Sequence, residues 1–483
     1  MPQIFLDGQP FEARTEQTVL QVALDHGIFI PRLCWHPQLS VAGNCRICVV
    51  QVEGRSWVEI ACNMPVSEGL RVLTDSPLVR EHRKAIMQFI TLNHPVDCGI
   101  CDKAGECTLQ DYHVAFNGEA SISREPKVQA TKFYRLSERI TLDNERCILC
   151  TRCVRFTREV SKSNALGVKH RGDHSLIRPA EGDDVRPLDD DAYSENVVDI
   201  CPVGALLSTR FLYKDRVWYL KATPSVCPGC ARGCSIDVWH RKPEWALRAL
   251  DARHNTAIAR VTPRDNPDVN GPWICNKGRD LALLLERRRA DAPMCKGRAV
   301  ALDEALAAAR ELIGRARHPV ALVSSWGSDE ELAAFGDALG GRFHCFVKDD
   351  HLPADGEVVE DALLIRADKN PNGRTARARF GDQAVCFAPG TDLVLVWGEG
   401  CDFGRLPRGV PVIFLNAFLA PENGHAEVFF PTSVHTERDG HFTNADGVRS
   451  AFSRCFDRPA GVVDAEQVFR ALAAAAVAEG VTR

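Results

Sequence analysis

Apolar and polar residues alternate through QIFLDGQPFE at the N-terminal end, which predicts two short strands joined by a turn at Asp7-Gly8. The period then changes. In TVLQVALDHG (18–27), Val19, Leu20, Val22, Ala23 and Leu24 form one apolar face of a helix that Gly27 stops. VREHRKAIMQFI (79–90) has the pattern of a second helix. Near the other end, LDEALAAARELIGRA places Leu302, Leu306, Ala309, Leu312 and Ile313 on a helical stripe. HPVALVSSWGS follows as a buried strand ending in a glycine turn, and DEELAAFGDALGG as another helix. TDLVLVWGEG and VPVIFLNAF add short, uniformly apolar strands, so residues 296–483 are expected to form an α/β region with a largely parallel sheet. The Gly398-Glu399-Gly400 turn is a weak phosphate signal and is read as a plain strand-to-loop turn. ALAAAAVA (471–478) is far shorter than the roughly 18 apolar residues of a spanning helix and reads as the packed face of a terminal helix.

Composition narrows the function classes. The 483 residues are enough for several domains, and a net charge of −5 leaves no basic footprint for nucleic acid. The first residues carry no cationic-then-apolar signal pattern, so the chain is expected to be soluble and to meet a membrane only through partners. Its 20 cysteines then cannot be a disulfide framework, because the cytosol keeps thiols reduced. Fifteen of them lie between residues 34 and 275, mostly in tight groups. That distribution indicates metal ligands.

Four groups emerge. Cys34, Cys45, Cys48 and Cys62 have the spacing C-x10-C-x2-C-x13-C, whose middle pair matches a plant-type 2Fe–2S loop while the first gap is longer. Gly43 and Asn44 are expected to supply the left-handed backbone that a cluster-wrapping loop requires. The plain alternative is four buried structural thiols. His94, Cys98, Cys101 and Cys107 form the second group, H-x3-C-x2-C-x5-C, in which the imidazole is expected to complete a three-thiolate 4Fe–4S cube. Gly99 and Gly105 are expected to let the backbone approach it closely.

The third group is Cys147, Cys150 and Cys153 in ERCILCTRCVRF, with Cys201-Pro202 found 48 residues later in DICPVGAL. In two-cluster ferredoxins the Cys-Pro cysteine of one run ligates the other cluster. One full run plus an isolated Cys-Pro therefore reads as a duplicated ferredoxin that kept one 4Fe–4S cluster. Zinc is the alternative, but zinc ribbons pair two C-x2-C motifs. The fourth group, Cys227, Cys230, Cys234 and Cys275, has x3 in its second gap and belongs to a different module, also expected to hold a 4Fe–4S cube. Cys295, Cys345, Cys386, Cys401 and Cys455 fit no ligand spacing and are expected to be packed thiols.

This ordered set resembles the G-type iron–sulfur subunit of the NADH–quinone oxidoreductase family (respiratory complex I). Residues 218–283, with PWICNKGRD (272–280), resemble the cluster domain of molybdopterin oxidoreductases, and residues 296–483 a truncated form of their pterin-binding domain. The stretch 427–452 resembles the part of that domain in which a pterin would be recognised. The resemblance implies an α+β multidomain chain. Its expected parts are a ubiquitin-like 2Fe–2S ferredoxin domain at 1–78, a 4Fe–4S domain with one histidine at 79–118, and a ferredoxin-like 4Fe–4S domain at 138–215, followed by the two modules above. It implies one 2Fe–2S and three 4Fe–4S clusters.

It also implies a relay from a flavin-bearing NADH-oxidising subunit toward a quinone-facing partner, with no substrate site in this chain. The implied partners are that flavin subunit, a small thioredoxin-like 2Fe–2S subunit and downstream 4Fe–4S subunits on the quinone side. The implied place is the cytoplasm, peripheral on the inner face of a bacterial membrane. Only 208 residues follow Cys275, fewer than a complete pterin domain, so no molybdopterin is expected. The alternative is the relay subunit of a soluble NAD-linked hydrogenase or formate dehydrogenase. An iron-only hydrogenase would need further cluster cysteines, which the five scattered ones do not supply. A purely structural metal scaffold would explain the ligands but not their variety.

Overall fold

The computed structural model describes residues 1–247, 254–285 and 287–478, with side chains as far as Ala473. It divides into two compact units, Met1–Trp218 and Tyr219–Arg483.

In the first unit, β1 (Gln3–Leu6) and β2 (Gln9–Glu12) form the hairpin. Asp7 and Gly8 both have positive φ, 49° and 84°, the turn whose twist suits a two-residue hairpin. Helix α1 (Val19–Asp25) opens with a capping box between Thr18 and Gln21 and is followed by Gly27 at φ 71°. Strands β3 (Val49–Val52), β4 (Val58–Ile60) and β5 (Arg71–Leu73) complete a mixed sheet of order β2-β1-β5-β3-β4. Val19, Leu20, Val22 and Ala23 of α1 are buried with Ile4, Leu6, Val50 and Val72 of that sheet. Each Val, Leu or Ile among them contributes about 1.5–3 kcal/mol. Helix α2 (Pro77–Thr91) is capped by Ser76 and is the helix expected over 79–90; α3 (Thr108–Phe116) follows.

The rest of the unit is built on β6 (Tyr134–Arg135), β7 (Ile140–Leu142), α4 (Arg152–Glu159), the hairpin β8 (Leu166–Lys169) and β9 (Leu176–Pro179), α5 (Asn196–Asp199) and β10 (Leu206–Ser208). Strand β7 lies between β10 and β6, antiparallel to both.

The second unit begins with an antiparallel sheet of β11 (Leu220–Val226), β12 (Ser235–Arg241) and β13 (Ile258–Pro263). Helices α6 (Asn276–Arg279) and α7 (Leu281–Leu285) and the short strands β14 (Met294–Cys295) and β15 (Arg298–Ala299) come next. Then α8 (Leu302–Arg315), β16 (Pro319–Ser324), α9 (Asp329–Phe335), β17 (His344–Lys348), α10 (Gly373–Phe380), β18 (Leu393–Trp397), β19 (Val412–Asn416), α11 (Pro421–His425) and β20 (Val428–Pro431) alternate. Their sheet has the order β15-β14-β20-β19-β18-β16-β17, and the five strands from β20 to β17 are parallel. Both faces are buried, which explains the uniformly apolar runs: Ala321 and Val323 of β16 face one core, Val320 and Leu322 the other. The hairpin β21 (Gly440–Thr443) and β22 (Arg449–Phe452) precedes α12 (Ala465–Ala478). In α12, Phe469 and Leu472 are buried; of the apolar run 471–478, the side chains from 474 onward lie outside the described residues.

Among the scattered cysteines, Cys295, Cys345 and Cys401 pack partly buried against the sheet cores, and Cys455 is half-buried. Cys386 departs from the expectation: it is exposed. The Gly398–Gly400 turn is occupied by protein. A Cβ at Gly398 would overlap the Asp350 carboxylate; the Gly398 amide donates to Leu415 O at 2.8 Å and the Glu399 amide to Asp350 at 3.1 Å, so both amides are used within the protein.

Candidate iron–sulfur sites

In the first ligand group Cys34, Cys45 and Cys48 lie on the loop between α1 and β3, and Cys62 in the turn directly after β4. Cys34, Cys48 and Cys62 are buried and Cys45 is half-buried. The thiols meet in two pairs. Cys45 donates to Cys34 and holds it down to about 5, while Cys48 donates to Cys62 and lowers it as well. The donors Cys45 and Cys48 are pushed up by the same contacts. Two pairs offer two sulfurs to each iron of a two-iron cluster. Gly43 has the expected positive φ, 63°, but Asn44 does not; the second left-handed residue is Arg46 at 61°. Asn44 instead donates Nδ2 to the carbonyl of Leu149 at 2.8 Å.

In the third group Cys147, Cys150, Cys153 and Cys201 lie in one another's electrostatic field and share a cavity with Leu142, Ile177 and Val203. Burial pushes Cys147 up to about 12 and Cys150 up to about 11. Leu149 (φ 50°) and Thr151 (φ 58°), on either side of Cys150, turn the chain back so that successive cysteines face inward.

The second group is less enclosed. Cys101 and Cys107 are buried, Cys98 is exposed, and the fields of the three thiols overlap. Cys107 precedes α3 directly. Burial and the charge of Arg146 hold the His94 imidazole down to about 4, so it stays neutral. Its Nδ1 is buried with no hydrogen-bond partner, as a nitrogen reserved for a metal would be. Arg146 itself is buried, and its field reaches both His94 and Cys101. At Gly105, φ 87°, a Cβ would lie 2.8 Å from Val217 Cγ1, so the missing side chain makes room for protein; at Gly99 a Cβ would meet no protein atom within 4 Å.

The fourth group, in the second unit, joins the β11–β12 turn to the start of α6. Cys227 and Cys234 share a backbone bond of 2.8 Å, and the fields of Cys227, Cys230, Cys234 and Cys275 overlap. Burial pushes Cys275 up to about 11.

High thiol values mean that iron must displace protons to bind, the normal course at a thiolate site. Among the described residues no three His, Cys, Asp or Glu side chains converge to hold a single metal ion. The ligands of a cluster address different irons and need no common centre. Donor chemistry, paired thiols and the orphaned His94 nitrogen all fit iron–sulfur clusters.

Sequence reasoning passed over three kinds of residue that join these groups. Arg155 reaches from α4 to the first loop, donating Nη2 to Cys34 O at 2.5 Å and to Cys150 O at 3.2 Å. Arg152 donates to Ile200 O at 3.0 Å and to Trp35 O at 2.7 Å. On the far side of the third group, Pro202 O accepts from the Thr108 amide at 3.1 Å, and a Cβ at Gly204 would overlap the Cys101 sulfur. Both arginines were visible inside ERCILCTRCVRF, where charges among buried ligands are the available signal.

In the second unit a crevice opens at the carboxyl ends of β16, β18 and β19, where α/β sheets bind ligands. The stretch 427–452 reaches it through Thr432–His435 and Phe442. His435 is buried there, held down to about 3, and its Nε2 has no partner.

Four family models match separate parts of the chain. They are a 2Fe–2S iron–sulfur cluster binding domain (2–77), an NADH-ubiquinone oxidoreductase-G iron–sulfur binding region (83–121), an NADH-quinone oxidoreductase subunit 3 ferredoxin-like domain (137–207), and a molybdopterin oxidoreductase Fe4S4 domain (220–286). Iron–sulfur protein 1 of the mitochondrial NADH dehydrogenase of Solanum tuberosum is 39% identical over 64% of this chain and 40% of its own length. The 75 kDa subunit of NADH-ubiquinone oxidoreductase from Reclinomonas americana is 32% identical over 82% of this chain and 56% of its own. The G subunit of the NADH-quinone oxidoreductase of Rickettsia felis is 35% identical over 61% and 41%. The chain belongs to the G-subunit family of NADH-quinone oxidoreductases.

This member of the family spans about half the length of the curated proteins it matches. It carries 2Fe–2S and 4Fe–4S binding domains. A chain of an NAD+-reducing [NiFe]-hydrogenase aligns at 31% identity over 45% of this chain and 91% of that one, with a TM-score of 0.40, too loose a likeness to carry an argument. No helix among the described residues is long and apolar enough to cross a membrane.

His94→Cys tests the histidine directly. An anionic ligand in place of a neutral one should keep a cube and lower its potential. Electron paramagnetic resonance during a redox titration reads the shift, and an unchanged spectrum and potential would leave His94 a bystander.

Proposed function

We propose that this chain is the electron-relay subunit of an NADH–quinone oxidoreductase. It would take electrons from a flavin-bearing NADH-oxidising subunit and a small 2Fe–2S subunit and pass them toward quinone-side 4Fe–4S subunits. The proposed ligands are Cys34, Cys45, Cys48 and Cys62 for one 2Fe–2S cluster. His94 with Cys98, Cys101 and Cys107, then Cys147 with Cys150, Cys153 and Cys201, and finally Cys227 with Cys230, Cys234 and Cys275 hold three 4Fe–4S clusters. Each bound cluster takes up and passes on one electron at a time.

The observation that carries this reading is that the first three ligand groups abut in the spatial order first, third, second. Arg155 spans the first pair of neighbours and the loop Pro202–Gly204 the second. Groups that merely stabilised separate modules would have no reason to share walls. The second group also ends at a surface: Cys98 is exposed, and Val96 (91% exposed) and Ile100 (59%) flank it. Exposed apolar side chains beside a redox site support docking of a partner there. The fourth group lies in the other unit, and its proposed role is to hold that unit's fold. The complex would sit on the inner face of a bacterial membrane through its other subunits.

The test is metal content. About 14 iron atoms per chain, with matching acid-labile sulfide, are expected in the intact assembly purified without oxygen. Stoichiometric zinc with about half that iron would sink the four-cluster assignment.

A further inference from the structure

We propose that Arg152 and Arg155 are a buried counter-ion shared by the first and third ligand groups, raising the reduction potentials of both clusters at once. The proposal rests on the assignment of clusters to those two groups.

The geometry is reciprocal. Each guanidinium divides its donors between the two sites. Arg155 gives one Nη2 to the carbonyls of two ligands, Cys34 of the first group and Cys150 of the third, at 2.5 and 3.2 Å. Its other end donates to Ser40 O, and its Nε to Thr151 Oγ1 at 3.4 Å. Arg152 bonds the residue after Cys34, Trp35, and the residue before Cys201, Ile200. Of these five carbonyl anchors, Cys34, Trp35 and Ser40 lie more than a hundred residues before Cys150 and Ile200, so the two arginines fix one ligand loop against the other.

Neither arginine forms an ion pair with a carboxylate among the described residues. Glu159, whose field reaches Arg155, has both oxygens held by Ser40, through its amide at 2.8 Å and its hydroxyl at 2.5 Å. Arg155 is 7% exposed, and the Nε of Arg152 is buried without a partner. A cation taken out of water is strongly disfavoured unless an anion faces it. The anionic groups in the field of Arg152 are Cys150 and Cys201 on one side, Cys34 and Cys45 on the other. Carbonyl dipoles orient the two guanidinium groups; ligand sulfurs, once deprotonated by iron, balance them.

Reduction of a cluster adds one negative charge and makes or breaks no bond. A fixed positive charge in a medium of low polarity favours the more negative state, so it raises the potential. Because the same two charges face both sites, removing one should be felt at both.

The experiment is a dithionite redox titration of the assembled complex, followed by electron paramagnetic resonance, for wild type, Arg155→Gln and Arg155→Lys. Arg155→Gln keeps a hydrogen-bonding side chain and removes the charge. It should lower both midpoints, cutting the reduced-to-oxidised ratio at the wild-type midpoint about tenfold, ~59 mV for one electron. Arg155→Lys should leave both ratios within about twofold of wild type. Full signals with unchanged potentials in Arg155→Gln, or a shift at one cluster alone, would overturn the shared role. If Arg155→Gln loses either signal, Arg152→Gln is read in the same way; loss of a signal there too would make the arginines scaffold and nothing more. Absence of the two signals from wild type would instead remove the cluster assignment itself.

Discussion

Cys150→Ser is expected to abolish NADH-driven electron flow, by more than about 100-fold, since even outer-shell changes at metal sites cost 10–100-fold. Cys150 is buried within the group that stands between the other two of its unit, and its carbonyl is one of the anchors of Arg155. Losing that cluster interrupts the route in both directions. Turnover of the assembled complex with NADH and a quinone is the measurement. The matching change in the second unit, Cys275→Ser, should act differently. Cys275 closes a loop that begins at Cys234 and sets the first turn of α6, so a metal bound there would hold the fold together. Lower thermal stability and assembly yield are expected, with turnover per assembled complex near wild type. A Cys275→Ser complex that assembles normally yet carries no electrons would put the fourth cluster on the route and overturn its structural role.

Gly204→Ala should cost the second cluster while leaving the third. The new methyl would overlap the Cys101 sulfur and lie 3.1 Å from Lys103 Cβ, so it displaces either the ligand or the loop that walls it. Cys201, three residues earlier, keeps its place in the third group. The expected result is a loss of about four iron atoms per complex and of the second cluster's signal, with the third intact. An unchanged iron count and spectrum would show that the loop yields without disturbing Cys101.

Local features of this fold were legible because local chemistry decides them. Asp7-Gly8 makes the hairpin turn, Gly27 stops α1, and the uniformly apolar strands from β16 to β20 are buried on both faces of a parallel sheet. The left-handed positions were only half legible. Gly43 advertises itself, but Arg46, Leu149 and Thr151 take positive φ because a C-x2-C loop must reverse between ligands whatever residue stands there. The arrangement of the sites was not legible at all. It depends on contacts such as Arg155 to Cys34, 121 residues apart, and on Gly204, whose lack of a side chain matters only when Cys101 is beside it. Spacing identifies a ligand group; it carries no information about which group is its neighbour.

The wall between the second and third groups has a consequence for biosynthesis. Cys107 and Pro202 are 95 residues apart, yet Pro202–Gly204 packs directly on Cys107 and Cys101. At roughly 5–20 residues per second, a ribosome releases His94 to Cys107 about 5–20 s before the segment that encloses them. During that interval the second group is an open loop with its thiols in solvent, exposed to oxygen and to the wrong metal. Iron delivered then would meet the four ligands without the wall that covers them. The chain is therefore best matured after release, with the Cys201 loop seated first and its neighbour filled last.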